Sequence, residues 1–312
     1  MIVLKYTLYG YNNVGVMLKM IYDCAVIGAG PAGLSAAINL AQTNRSVVVF
    51  ATKEEDSSIY RAPEVKNYLG FHDMSGKELL QAFYNHAKKM GIEIVHKKVI
   101  NFYKSGDIFT INANNEFFEA YSVILAIGTP KKTLLENEAE FVGRGISYCA
   151  VCDGMLYKGR TIAVIGEAIE AEEEAEYLSE LAKKLYYVPL YKKNEFHFKD
   201  NVEVILSRPK GVYGEDFVNA LELEDRILNV DGIFIIRKTM PADQLIYGLE
   251  FTEDGHIKVD NKMQTSIEGL FAAGDCTGRP YQVAKAVGEG QIAGLSASTY
   301  VKRIKEGAEK KD

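Results

Sequence analysis

Two cysteines three residues apart, Cys149 and Cys152, are followed directly by Asp153 and Gly154. This spacing lets two thiols close into a short disulfide, and a thiolate is the species that reacts when such a bond is exchanged. Asp153, beside the second thiol, is a candidate proton donor and acceptor. A metal site would need more ligands than this. There is no second pair of this spacing, and the five histidines (His72, His86, His96, His197 and His256) are scattered singly, so no metal is expected. Cys24 lies inside an apolar run and reads as a small core residue. Cys276 follows Gly274-Asp275, with nothing in sequence to pair it. Four cysteines in 312 residues are too few for a disulfide-built secreted scaffold. The close pair therefore points to redox chemistry inside the cell.

A second constellation lies upstream. Gly28-Ala29-Gly30-Pro31-Ala32-Gly33 directly follows an apolar run at 22–27 and opens a run of small residues at 32–42. In a strand–turn–helix context the first glycine permits the tight turn and the second lets a pyrophosphate approach the backbone. The third lets helix and strand pack closely, while the helix N-terminus offers N–H groups to the anion. Dinucleotide binding is expected here, against the plainer alternative of a glycine turn that only serves packing. The acidic residue expected about 20 positions further on to hold a ribose is absent. Phe50 and Ala51 stand there, and Glu54 and Glu55 come later.

These groups need rigid elements to position them. Strand 22–27, helix 32–42 and strand 46–50 form a β-α-β opening of a parallel sheet. A helix over 77–90 and a strand at 92–96 follow. Segment 99–118 alternates around turn residues as an antiparallel meander, and 122–128 returns to a buried strand. The pattern then restarts with strand 161–166, helix 170–184 (apolar face Ala171, Ala175, Leu178 and Leu181) and strand 185–191. Gly166 stands 138 positions after Gly28, a repeat of fold rather than a solenoid period. A last strand at 269–275 leads into a helix over 281–302. The fold class is α/β, with two Rossmann-like three-layer domains.

A net charge of −6 gives no global basic field for nucleic acid. No apolar run approaches the roughly 20 residues that span a bilayer. The first 20 residues hold tyrosines, asparagines and two lysines, with no small-residue cleavage pattern after an apolar core. A cytoplasmic protein is expected. Met20, just before the first strong strand, reads as a natural start, which leaves 1–19 without an assigned role.

Three segments in order, VIGAGPAGLSAA, the Cys-Ala-x-Cys-Asp-Gly box and GLFAAGDCTG, carry a resemblance to the low-molecular-weight thioredoxin reductases over nearly the whole chain from Tyr22. The resemblance implies a discontinuous FAD domain (1–131 and 242–312) with an inserted smaller domain (132–241) carrying the cysteines. It implies that Gly28, Gly30 and Gly33, with Pro31 and Ala32 between them, hold the FAD pyrophosphate. It likewise gives Asp275 of the Gly274-Asp275 pair to the ribitol and phosphate, and Asn67 and Gly128 to further FAD contacts. Cys152 would face the flavin, Cys149 would attack the disulfide of thioredoxin, and Asp153 would shuttle the proton. A homodimer and a large rotation between the domains are also implied.

The inserted domain departs from its family in one place. Where ordinary members bind NADPH through a Gly-Gly-Gly-Asn-Ser/Thr-Ala turn, this chain reads Gly166-Glu167-Ala168-Ile169-Glu170-Ala171. The family's basic box for the 2′-phosphate is matched by Tyr191-Lys192-Lys193, its later arginine by His197, and its Ala-Ile-Gly-x-x-Pro by the segment ending at Pro241 that contains Arg237. In this the chain resembles the ferredoxin-dependent flavin thioredoxin reductases, in which a reduced iron–sulfur ferredoxin feeds FAD one electron at a time. The cluster would sit on the partner, since four cysteines are too few to hold one beside the redox pair. Ferredoxins are usually acidic, and five basic pairs could receive one: Lys131-Lys132, Lys183-Lys184, Lys192-Lys193, Arg237-Lys238 and Lys302-Arg303. Each alone reads equally as solvated surface. Two alternatives stay open: the same reductase driven by NADPH through Lys192 and Lys193, and a non-catalytic flavin and disulfide module that senses redox state.

Overall fold

The computed structural model describes residues 20–129, 134–237 and 240–308. Residues 1–19, Lys131, Lys132 and Lys238, on which expectations were placed above, lie outside the described residues. The chain divides into two compact units, Met1–Pro130 with Pro241–Asp312, and Lys131–Met240.

The first unit opens as β1 (Ile21–Ile27), α1 (Pro31–Gln42) and β2 (Val47–Ala51), then α2 (Gly76–Lys89), β3 (Glu93–His96), β4 (Val99–Ser105), β5 (Ile108–Ala113) and β6 (Glu116–Leu125). β1 is flanked on both sides by parallel partners, β2 and β6. A strand covered on both faces reads as a continuous apolar run, not an alternation, and Cys24, Ala25 and Val26 are wholly buried.

The meander and the returning strand expected as two elements are one. β6 pairs antiparallel with β5 over Glu116–Ala120 and parallel with β1 along most of its length. Its sequence changes from alternating to uniformly apolar because its surroundings change midway, which mimics a boundary.

The second unit contains α3 (Glu138–Phe141), β7 (Ile146–Ser147), α4 (Ala150–Asp153), β8 (Thr161–Gly166), α5 (Ala171–Leu181), β9 (Lys184–Pro189), β10 (Val202–Val204), β11 (Pro209–Gly214), β12 (Val218–Leu223), β13 (Ile227–Asn229) and β14 (Gly232–Ile236). Its sheet runs β10-β9-β8-β14-β7 and is parallel throughout. A separate antiparallel ribbon, β11-β12-β13, mixes glycine, charged and amide residues among its apolar ones and lacks the uniform apolarity that marks β1 and β8. α5 stops at Leu181, short of the expected 184, because Lys184 already belongs to β9. Its buried face is Ala171, Ala175, Leu178 and Ser179, with Leu181 only half-buried.

The chain returns to the first unit through α6 (Ala242–Leu245), β15 (Leu270–Ala272) and α7 (Val283–Ala308). β15 extends the first sheet on the second half of β6. α7 lies tightly along α1 because small residues face each other. A Cβ on Gly290 would meet the Ala32 carbonyl oxygen at 2.1 Å, and one on Gly294 the Ala36 oxygen at 2.6 Å. Among the described residues no helix is long and apolar enough to cross a membrane.

Candidate functional site

Cys149 and Cys152 are joined in a disulfide. The edge strand β7 delivers the chain to Cys149, which caps the single turn of α4. The backbone N–H of Cys152 donates to Cys149 Sγ at 3.2 Å, a donor that also serves a negative sulfur once the bond is opened. Cys149 is buried and Cys152 exposed. The sulfur assigned by resemblance to attack on thioredoxin is thus the covered one in this arrangement. Asp153 Oδ2 accepts from the Ser147 hydroxyl at 2.6 Å. Gly154 is there for packing: a Cβ would meet Leu178 Cδ2 at 2.9 Å, on the buried face of α5.

Tyr148, immediately before Cys149, is anchored to a buried charge pair that sequence reasoning missed. Glu138 Oε1 accepts from Tyr148 Oη at 2.7 Å and from Arg237 Nη2 at 2.6 Å. Its Oε2 accepts from the N–H groups of Leu134 and Leu135, at 2.6 and 3.0 Å. The Arg237 and Glu138 side chains are 1% and 0% exposed. Arg237 therefore belongs to no surface patch, and the expectation that Arg237-Lys238 receives an acidic partner is corrected. Arg237 directly follows the buried strand β14, so its charge enters the interior, where removal of its partner is costly.

In the first unit, Gly28 has φ +110°, and a Cβ there would stand 2.2 Å from the Ala126 oxygen. A Cβ on Gly33 would stand 1.8 Å from the Gly28 oxygen. Above Gly30 the space is open: the nearest atom to a Cβ is Ser57 Oγ at 3.8 Å. α1 begins with Pro31, has no side-chain cap and carries no acidic residue in its first turn. Its positive end is available to an anion.

Ala32 takes the packing of the return segment, since a Cβ on Gly274 (φ +89°) would meet its own Cβ at 2.9 Å. Asp275 is half-buried. Burial raises its carboxyl above the usual range, opposed by Lys285 and reinforced by Glu289. Lys285 Nζ donates to the Gly274 oxygen at 2.9 Å and to Glu289 Oε2 at 3.0 Å. Glu289 Oε2 also accepts from the Gly274 N–H at 2.9 Å. Asn67 is exposed and donates to Gln282 Oε1 at 2.8 Å, just before α7. Gly128 has φ +76° with nothing within 4 Å of a Cβ. Lys285 and Glu289 were missed, although their four-residue spacing on a helix is a legible pairing signal.

The corresponding turn of the second unit is built differently. Glu170 is the N-cap of α5, and Glu172, Glu173 and Glu174 fill its first turn. The N–H groups of Ala171 and Glu172 are taken by the carbonyls of Ala168 and Ile169, each at 3.0 Å. A Cβ on Gly166 would meet Tyr187 Oη at 2.6 Å. Tyr187 Oη lies 2.9 Å from Tyr191 Oη. Tyr191 in turn donates to Glu172 Oε1 at 2.5 Å, and Lys193 Nζ reaches both Glu172 oxygens at 2.9 and 2.6 Å. Burial pushes Tyr187 up to about 12. Burial and the bond to Glu172 raise Tyr191 as well. Burial also works to raise Glu172, but the hydrogen bonds from Lys193 and Tyr191 hold its carboxyl below the ordinary range. The space over Gly166 is thus lined by the protein's own phenols, and Lys193, one of the two lysines considered for a 2′-phosphate, is bound to Glu172.

The two remaining cysteines are buried and unpaired, and burial raises each thiol to about 12. Cys276 Sγ is held by the carbonyls of Ala273 and Leu125. Almost no thiolate exists at either near neutral pH. Iodoacetamide is therefore expected to label Cys149 and Cys152 alone in reduced native protein, and all four after denaturation; peptide mapping that finds Cys24 or Cys276 labelled in native protein contradicts this. Of the other basic pairs, Lys184 is bound to Glu203, Lys302 to Glu306 and Arg303 to Glu268. Among the described residues no cluster of three or more histidine, cysteine, aspartate or glutamate side chains could hold a metal.

Residues 22–290 match the family described as pyridine nucleotide-disulphide oxidoreductase. The chain is 32% identical over 310 residues to a thioredoxin reductase of Listeria monocytogenes, covering 93% of this chain and 97% of that protein. Among solved structures it is similar to a ferredoxin-flavin thioredoxin reductase from Clostridium acetobutylicum, with 47% identity and a TM-score of 0.82 over 89% of this chain and 97% of that one. It is also similar to a thioredoxin reductase from Gloeobacter violaceus, with 27% identity and a TM-score of 0.76 over 90% and 95% of the two chains.

Proposed function

The chain belongs to the pyridine nucleotide-disulphide oxidoreductases and is a FAD-dependent thioredoxin reductase; from that premise we propose that its electrons come from reduced ferredoxin and not from a nicotinamide nucleotide. The observation that carries the reading is the turn between β8 and α5. An anion docking there as it would on α1 meets Glu167 in the turn and Glu170 at the N-cap of α5. Two like unit charges about 4 Å apart repel by about 4 kcal/mol at an effective dielectric near 20. Micromolar binding amounts to only about 8 kcal/mol in all, so one or two such encounters remove useful affinity. The similarity to a ferredoxin-flavin thioredoxin reductase at 47% identity supports the same donor.

Gly28, Gly30, Pro31, Ala32 and Gly33 would hold the FAD pyrophosphate, with Asn67, Gly128, Gly274 and Asp275 completing its surroundings. When bound, FAD supplies an acceptor for single electrons that passes them on as a pair. Cys152, the exposed residue of the pair, would be the one to accept that pair, which opens its bond to Cys149. Cys149 then attacks the thioredoxin disulfide, forming a mixed disulfide that Cys152 resolves. Two electrons leave with the reduced partner, and Asp153 carries the proton that the thiol gains and loses. Because Cys149 is covered in the disulfide form, the attack requires the pair to change its exposure between the two halves of the cycle. The proposal includes a cytoplasmic homodimer, in which the reducing environment keeps Cys24 and Cys276 as thiols.

Turnover with each donor tests this reading. With thioredoxin as acceptor, reduced ferredoxin is expected to sustain catalysis, and NADPH or NADH to leave it at background. Comparable turnover with either nucleotide overturns it. Restoring glycine at both Glu167 and Ala168 is expected to raise nucleotide affinity at least about tenfold, since relief of one like charge exceeds the roughly 1.4 kcal/mol of a tenfold change. Titration calorimetry reads the gain; none would place the block outside this turn.

A further inference from the structure

Ser147 closes β7, its backbone paired with Phe234 of β14, and its side chain is buried at 6% exposure. Its hydroxyl donates to Asp153 Oδ2 at 2.6 Å and accepts from the Cys149 N–H at 3.1 Å. The first distance lies in the range of a charge-assisted O–H to carboxylate bond. Asp153 is the last residue of α4, and its own N–H donates to the Cys149 carbonyl at 3.3 Å. The carboxylate is therefore tied twice to the segment that carries the disulfide, once through its backbone and once through Ser147.

We propose that Ser147 is the positioning residue for proton transfer at the disulfide, holding one oxygen of Asp153 so that the other exchanges the proton with the thiol. The inference rests on the reading of Asp153 as the shuttle. In the reductive step the S–S bond takes two electrons delivered through the flavin and breaks. One sulfur remains a thiolate, and the other takes one proton, passed from solvent by the Asp153 carboxyl. When the partner disulfide is reduced, the carboxylate removes that proton as the second enzyme sulfur closes the bond and the partner's thiolate departs. A carboxyl free to rotate spends much of its time misdirected, and small errors of placement are costly in rate. The serine hydroxyl removes that freedom without adding a charge.

Turnover of the FAD-loaded enzyme from reduced methyl viologen to thioredoxin tests the inference independently of the natural donor. Ser147→Ala is expected to lower kcat about tenfold, the order of one hydrogen bond to a charged group, with KM for thioredoxin unchanged and a larger solvent deuterium isotope effect. Ser147→Thr keeps the hydroxyl and should recover most of the loss. Asp153→Asn should lower kcat about a hundredfold or more. Adding Ser147→Ala to that variant should then cost nothing further, because the serine has no proton carrier left to position. An equal, independent loss in both backgrounds, or wild-type kcat in Ser147→Ala while Asp153→Asn is slow, overturns the role of Ser147. Wild-type kcat in Asp153→Asn overturns the shuttle reading itself.

Discussion

Cys149→Ser and Cys152→Ser each reduce thioredoxin turnover by at least about a thousandfold, the scale seen when a covalent nucleophile is removed, while flavin content stays at the wild-type level. Neither variant can form the bond that accepts an electron pair, so a single remaining thiol has no route from flavin to partner. The Cys149→Ser protein also loses the sulfur that accepts from the Cys152 N–H. The Cys152→Ser protein keeps a thiol at Cys149 that can still be trapped as a mixed disulfide but has no resolving partner. Thiol titration of thioredoxin under anaerobic conditions measures the loss. Normal turnover in either variant contradicts a dithiol mechanism.

Arg237→Met destabilises the second unit by about 3–5 kcal/mol, because it strands the Glu138 carboxylate in the interior. For a urea slope of about 1–3 kcal/mol per molar this lowers the unfolding midpoint by roughly 1–5 M. The double variant Glu138→Gln with Arg237→Met is expected to recover part of the loss. Its single amide oxygen can still accept from the Leu134 and Leu135 N–H groups, its NH2 can donate to Tyr148 Oη at the other position, and no charge is left unmatched. An unchanged midpoint in Arg237→Met would mean that the pair carries no stability. The prediction matters for chemistry because Tyr148, bonded to the same carboxylate, is the residue that leads into Cys149.

The parts of the site that sequence makes legible are those whose chemistry is local. Gly28 to Gly33 lie within one turn, and Cys149 to Asp153 within another, so spacing alone predicts a pyrophosphate cradle and a disulfide. The acidic replacements at Glu167 and Glu170 are local too, and they raise the question of the donor. Long-range partners leave no such trace. Glu138 and Arg237 stand 99 positions apart, and Arg237 beside Lys238 reads as a surface patch until its strand is placed inside the sheet. Ser147 is unremarkable in sequence because its hydroxyl matters only once β7 turns it toward Asp153. Tyr187, Tyr191, Glu172 and Lys193 likewise become one network only when β9 lies beside β8. In the fold, buried parallel strands such as β1 and β8 announce themselves by uniform apolarity. β6 hides its continuity by changing neighbours midway, and β11 to β13 mix too many polar and glycine residues among their apolar ones to stand out.

Electron entry through ferredoxin is tested most directly by anaerobic mixing of the FAD-loaded protein with each donor while the flavin's visible absorbance band is followed. NADPH and NADH are expected to leave the oxidised spectrum unchanged, and reduced ferredoxin to bleach it and then yield reduced Cys149 and Cys152. Rapid bleaching by either nucleotide would contradict the account.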